Sequence, residues 1–256
     1  MSLAALVPLA PVAFQLLQPR RPACCAPPCT IYVTGFGPFM GVQQNPTSSL
    51  CETLRSYLEE KQVPKGVDAE LLREFEESGV QLQGLQVLQV AAEACKCEVP
   101  QIVEAVRGRR AAILHLGVAS GRTQLSLECR GVNEATFRVP DELGYQCCGE
   151  AVVPDSPPVL FSTLRLPELL AELHDRDVPA ELSTDAGRFL CNYVYFQSLQ
   201  AARPFDIPVL FVHVPQFEAM DQATQVAGLL CLVMAIGRQL RNAPLSQPRS
   251  TARPLG

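Results

Sequence analysis

Apolar and polar positions switch between two periods from about residue 30 to residue 241. Residues 30–34 (TIYVT) are β-rich and stop at a glycine cluster. Pro46 then opens a helical stretch to about Glu60, with Asn45 as its N-cap. Residues 85–91 (LQVLQVA) alternate with period two, which predicts a strand. A helix is predicted over 99–107, a buried strand over 111–117 (AAILHLG) and a short strand over 125–128. Residues 134–157 are loop-rich. Pro167 opens a helix to about Asp175, 181–184 is a strand edge, 190–202 is helical and 209–214 (VLFVHV) is a second buried strand. Asp221 caps a long last helix to about Arg241. Strands separated by helices predict an α/β three-layer sandwich, with a mostly parallel central sheet and helices on both faces. Ligands of such sheets bind beyond the carboxyl ends of the strands.

The pattern fails at three places. Residues 1–29 are rich in proline and lack a sustained period, which predicts a disordered extension. Residues 243–256 (APLSQPRSTARPLG) read as a flexible tail, leaving 30–242 as one domain. Residues 62–84 are polar and contain Pro64, Gly66 and Gly79, so they read as a surface insertion carrying a short acidic helix near 68–77. The apolar start MSLAALVPLAPVAFQLLQ lacks a basic leader region, is interrupted by Pro8 and Pro11, and precedes Arg20 and Arg21. It therefore reads as an extension, not a secretion signal.

Composition narrows the function class. A net charge of -5 gives no basic footprint for nucleic acid. No uninterrupted apolar run reaches the roughly 18 residues of a membrane span, so no membrane partner is expected. Eleven cysteines, an odd number scattered through core-like segments, point to reduced thiols and a cytoplasmic location.

Four segments carry candidate chemistry. The cluster Thr34 to Gly41 follows a strand and precedes a helix, as a dinucleotide loop does. Met40 stands where the third glycine is required and Pro38 removes a backbone donor, so the fingerprint fails. Phe36 and Phe39 are then either apolar walls of a site or two core residues beside a turn. Cys191 follows a strand edge and a glycine turn at the start of a helix, where dipole and free N–H groups favour a thiolate. The plain reading is one more buried cysteine. His213 ends a buried strand and is placed as a general base. His115, among aliphatics, reads as a core residue, and His174, on a charged helix, as solvated. Glu128 ends an apolar segment, where burial demands a partner. That partner is an imidazole, or Arg122 or Arg130 in a plain salt bridge. Cys95-x-Cys97 and Cys147-Cys148 lack the spacing of zinc sites, so no metal is expected.

Taken together and in order, VTGFGPF, GVASGRTQLSLECRGVN, DAGRFLCNYVYFQSL and FVHVP resemble the pyroglutamyl-peptidase I family of cysteine exopeptidases. The resemblance implies Cys191 as nucleophile, His213 as base and then acid, and Glu128 as the group that orients His213. It implies that Phe36 and Phe39 pack on a lactam ring, with Phe189 and Leu190 on the cysteine side. Asn45 would brace the phenylalanine loop, and the backbone near Val118 would accept from the lactam N–H. Arg138 would lie near an oxyanion, and Val139 would line the pocket. The implied partners are peptides with N-terminal pyroglutamate, cleaved through a thioester without metal or cofactor. Met40, Ser48, Ala91 and Cys129 depart from the family pattern. A weak or inactive relative that binds peptides is the alternative, and a glutamine-directed cysteine amidase a third reading.

Overall fold

A computed structural model describes residues 28–39 and 44–243. Met40 lies outside the described residues, as do 1–27 of the expected extension and 244–256 of the expected tail. Along the chain run β1 (Cys29–Phe36), α1 (Pro46–Glu60), α2 (Ala69–Glu77), β2 (Val80–Leu88), α3 (Ala92–Val106), β3 (Ala111–Val118), β4 (Leu125–Glu128), β5 (Arg130–Val132), β6 (Val159–Phe161), α4 (Leu166–His174), β7 (Ala180–Ser183), α5 (Leu190–Ala202), β8 (Val209–Val214) and α6 (Gln222–Asn242). Six strands form one sheet in the order β2-β1-β3-β8-β4-β7, and β5 and β6 pair separately. Neighbours from β2 to β8 are parallel. β4 runs antiparallel to β8 and parallel to β7, so the last two strands are reversed.

Both faces of the sheet are covered. One core packs β1, β3 and β8 residues against α3 and α5, through Ile102, Val194, Phe196 and Phe211. The other packs Ile31, Leu114 and Val212 against α1, α2, α4 and α6. Near-continuous burial of β3 and β8 is what two covered faces demand of central strands. By length and composition α6 could cross a membrane, with mean hydropathy 1.4, but 78% of that stretch is buried inside the fold.

Two readings of the sequence are corrected here. The first concerns the segment 62–84, which is not all surface. Leu71, Leu72 and Phe75 of α2 belong to the core, and β2 starts at Val80 as an edge strand. Gly84 ends the segment that reads as an insertion. It instead sits at a bulge, where Gly84 (φ 74) and Leu85 (φ 46) are left-handed and the register with β1 shifts. A Cβ on Gly84 would fall 2.3 Å from the Tyr32 ring, so only glycine fits. The second concerns α3, which begins at Ala92 and not near 99. Pro100 lies inside this helix, where it leaves one i−4 carbonyl without its helical N–H donor. The β1 strand also takes in Cys29, fully buried, one residue before the expected domain edge.

Truncating Phe75 tests whether α2 is part of the core. Phe75→Ala should cost about 3–5 kcal/mol in urea unfolding at unchanged m-value. A cost below about 0.5 kcal/mol, typical of surface positions, would return α2 to the status of an insertion.

Candidate active site

Side chains of a strand alternate between faces, and residues paired across strands share a face. Phe211 and His213 therefore lie on one face of β8. Glu128 pairs with Phe211 and Ser126 with His213, while His115 pairs with Phe211 and Gly117 with His213. All of these residues face the α5 side. Glu128 is fully buried, and its Oε1 accepts a 2.7 Å hydrogen bond from His213 Nδ1. The same oxygen lies 3.2 Å from Arg122 Nη2, so histidine and arginine share one carboxylate oxygen. The other, Oε2, has no partner. With Nδ1 donating to Glu128, the remaining ring nitrogen, Nε2, is free to face Cys191.

Cys191 comes from the opposite direction. Gly187, at φ 79, turns the chain after β7, and α5 then begins at Leu190. Its N-cap, Phe189, makes no side-chain cap bond, so no side chain occupies the first-turn N–H groups around Cys191. Asn192 fixes this helix end. Its Oδ1 accepts from Val132 N–H and its Nδ2 donates to the Val132 and Glu134 carbonyls. The thiol is part-exposed and interacts electrostatically with His213, which is buried. Burial of the ring favours the neutral form. Interactions with Cys191 and with the Glu128 carboxylate outweigh that and raise His213 to about 9. His213 is thus a cation at neutral pH, a proton donor beside a sulfur. His115, on the same face, is fully buried and hydrogen-bonds the Thr34 and Ser198 hydroxyls. Burial lowers it to about 3, so it stays neutral.

Beside the thiol is a slot lined by Phe36, Phe39, Asn45, Val90, Val118, Phe189, Leu190 and Cys191. Six of the eight expected substrate residues are thus brought together. The Phe39 and Phe189 rings stand 6.3 Å apart. Asn45 Nδ2 donates to the Gly37 carbonyl, and the Thr47 hydroxyl accepts from Phe36 N–H. These bonds tie the aromatic loop to the start of α1.

Arg138 and Val139 are not in the slot. Both are exposed, Val139 at 36%. The loop is anchored on either side of them instead. Phe137 is buried against Phe189 at 4.9 Å, and Asp141 accepts from the N–H groups of Ala92, Leu143 and Tyr145. Between these anchors residues 138–140 turn outward. Sequence reasoning also missed Val90, Gly117 and Phe137. Gly117 carried a signal, a glycine at the end of a buried strand. A Cβ there would stand 2.5 Å from the Phe211 ring and 3.0 Å from the Cys191 sulfur. Among the described residues no three His, Cys, Asp or Glu side chains converge as a metal would require.

Fold and site together define a cysteine-type hydrolase on an α/β sheet. The family model for pyroglutamyl peptidase matches residues 29–239. Pyrrolidone-carboxylate peptidase of Pyrococcus furiosus is 32% identical over 187 residues, covering 72% of this chain and 80% of the relative. That of Streptomyces coelicolor is 31% identical over 223 residues, covering 81% and 92%. Among solved structures, a mutant pyrrolidone carboxyl peptidase from Pyrococcus furiosus superposes with a TM-score of 0.69 at 28% identity, covering 82% of this chain and 99% of that one. The Thermus thermophilus pyrrolidone carboxyl peptidase superposes with a TM-score of 0.62 at 27% identity, covering 80% and 98%. The chain belongs to the pyroglutamyl peptidase family, whose members are cysteine-type peptidases.

The pair at the centre of the site has a spectroscopic test. The His213 ring should titrate near 9 by NMR. Glu128→Gln removes one of the two charges that hold its proton, so the midpoint should move down, toward the ordinary histidine value of about 6.5. An unmoved midpoint would mean that Glu128 does not hold the imidazolium.

Proposed function

We propose that this chain hydrolyses the amide bond after an N-terminal pyroglutamyl residue, with Cys191 as nucleophile, His213 as proton carrier and Glu128 as its orienting group. One observation carries the reading: the aromatic slot and the thiol share a wall, so a flat ring packed on Phe36 and Phe39, with Phe189 on the cysteine side, presents its carbonyl to Cys191. Pyroglutamate is small, flat and uncharged. Free glutamine or glutamate would bring a charged ammonium into the same apolar slot without a partner, which is costly. Asn45 braces the loop that carries Phe36 and Phe39, and Val118 offers backbone polar groups to the lactam.

The thiolate attacks the scissile carbonyl carbon, and the carbonyl electron pair moves to oxygen. N–H groups of the first turn of α5 stabilise that oxyanion. As the C–N bond breaks, His213 gives its proton to the departing amine and the shortened peptide leaves. A thioester to Cys191 remains. His213, now neutral, takes a proton from water as the hydroxide adds to the thioester. Collapse releases pyroglutamate and restores the thiolate and imidazolium. A free thiolate of this kind calls for a reducing compartment, consistent with the cytoplasm.

Purified protein should release the fluorophore from a pyroglutamyl aminomethylcoumarin amide, and Cys191→Ser should lower kcat by about 10³-fold or more at unchanged thermal unfolding. Near-normal turnover by that variant would remove Cys191 from the mechanism. Hydrolysis of free glutamine without pyroglutamyl turnover would replace the exopeptidase reading by an amidase one.

A further inference from the structure

Arg122 lies in the turn between β3 and β4, six residues before Glu128 and outside the slot. Its side chain is 25% exposed, and both ends of its guanidinium are engaged. Nη2 lies 3.2 Å from Glu128 Oε1 and donates at 3.2 Å each to the Ser183 hydroxyl and the Asp185 carbonyl. Nη1 lies 3.6 Å from Glu181. Glu181 is itself held by Gln124 and Ser126, each at 2.8 Å. Asp185 opens the segment that leads through Gly187 into the Cys191 helix, and its carboxylate binds Arg188 and the Gly187 N–H.

We propose that Arg122 is a positioning residue for the reaction, a clamp that holds the Glu128 carboxylate in place and ties it to the segment carrying Cys191. The inference rests on the assignment of Cys191, His213 and Glu128 above.

The physical need for such a clamp is specific. A buried carboxylate must be compensated by charge and hydrogen bonds, or it takes up a proton. Glu128 has one oxygen with no partner, so its compensation falls on Oε1 and the groups that share it. The groups around the carboxylate are few. His213 faces it from β8 and Arg122 from the preceding turn, while Cys129 and Arg130 follow it in the chain. From α5, the Tyr195 hydroxyl donates to the Glu128 carbonyl and not to the carboxylate. Arg130 Nε is turned away to the Thr184 carbonyl, and Glu181 reaches the cluster only through Arg122. Arg122 is therefore the permanent cation at Glu128, since His213 gives up its proton in every cycle. When His213 is neutral, Arg122 still holds Oε1 in place, ready to take the proton-bearing ring back. The same guanidinium fixes the distance from β4 to the 183–185 segment, so acid and nucleophile are set from one point.

The test uses the full chain with two readouts, turnover of the pyroglutamyl amide and the rate of Cys191 alkylation by iodoacetamide, each against pH. Arg122→Met should lower kcat about 10- to 100-fold, with KM changed less than threefold, as loss of a residue that orients another does. The acidic limb of both profiles should move up, because the site loses its nearest permanent cation. Arg122→Lys should return the limb most of the way at lower kcat, since it keeps the charge without the fork. In a Glu128→Gln background, Arg122→Met should cost little more, because the group it serves is already neutral. Unchanged kcat and limb in Arg122→Met overturn the proposal. So does an equal loss with and without Glu128, which marks a merely structural role. If Arg122→Met does not fold, Arg122→Lys decides: an acidic limb displaced as far as in Glu128→Gln overturns the clamp. Alkylation needs no pyroglutamyl substrate. A wild-type protein without pyroglutamyl turnover would thus sink the peptidase reading and still report on Arg122.

Discussion

The hydrogen bond between His213 and Glu128 places a carboxylate with no solvent exposure against an imidazole buried with it. Water cannot pay the charge, so the surrounding protein must hold both groups in one geometry. The sheet does this through strand direction. Reversal of β4 beside β8 sets Glu128 opposite Phe211 on the face it shares with His213. Its side chain then needs to lean only two residues along β8 to reach Nδ1. A parallel β4 would run its carboxyl end alongside that of β8 and would reset every pairing. The single antiparallel step in an otherwise parallel half of the sheet is therefore a requirement of the pair, and β7 follows β4 in direction.

The thiol depends on the same face. The α5 helix crosses above β3 and β8, and its first turn needs room next to His213. Gly117 supplies that room at the position in register with His213, where any side chain would meet the Cys191 sulfur and the Phe211 ring. The slot is built by a different part of the chain, the β1 end and its loop, held to α1 through Asn45 and Thr47. Three segments distant in sequence thus converge on one sulfur. Each is fixed by buried hydrogen bonds, as a site needing sub-ångström placement requires.

Much of this was legible in the chain. The apolar runs of β3 and β8, the Asn45 cap of α1 and the Asp221 cap of α6 are local signals, and the structure carries them where the pattern put them. Cys191 and His213 stood out because a helix start and a strand end are themselves local features. What was illegible depended on contacts between distant residues. Only the second half of the β2 edge strand was legible, in the alternation over 85–91, because its first half joins the strand through a bulge at Gly84 fitted against the Tyr32 ring. The first turns of α3 were missed because Ala92 and Cys95 face the core only once the fold has formed. Arg138 and Val139 share a stretch with Phe137, and only the burial of Phe137 and Asp141 decides that the residues between them face outward. Arg122 was visible as a charge near Glu128, but its second engagement, with the segment before Cys191, is a tertiary fact.

The two buried histidines show why position alone does not define chemistry. His115 and His213 lie on adjacent parallel strands, on the same face, and each contacts the Phe211 ring, with centroids 6.5 Å and 4.8 Å away. Burial acts on both in the same direction, against the charged form. His115 is met by two hydroxyls, which hydrogen-bond either tautomer and carry no net charge, so desolvation wins and the ring falls to about 3. His213 is met by the Glu128 carboxylate and by Cys191, so charge wins and the ring rises to about 9. The same side chain on the same sheet is an inert core residue in one place and a proton reservoir two positions along in the next strand. The difference lies in whether the neighbours are dipoles or ions, and the ions at His213 are present because the fold brings the end of β4 and the start of α5 to it from opposite sides.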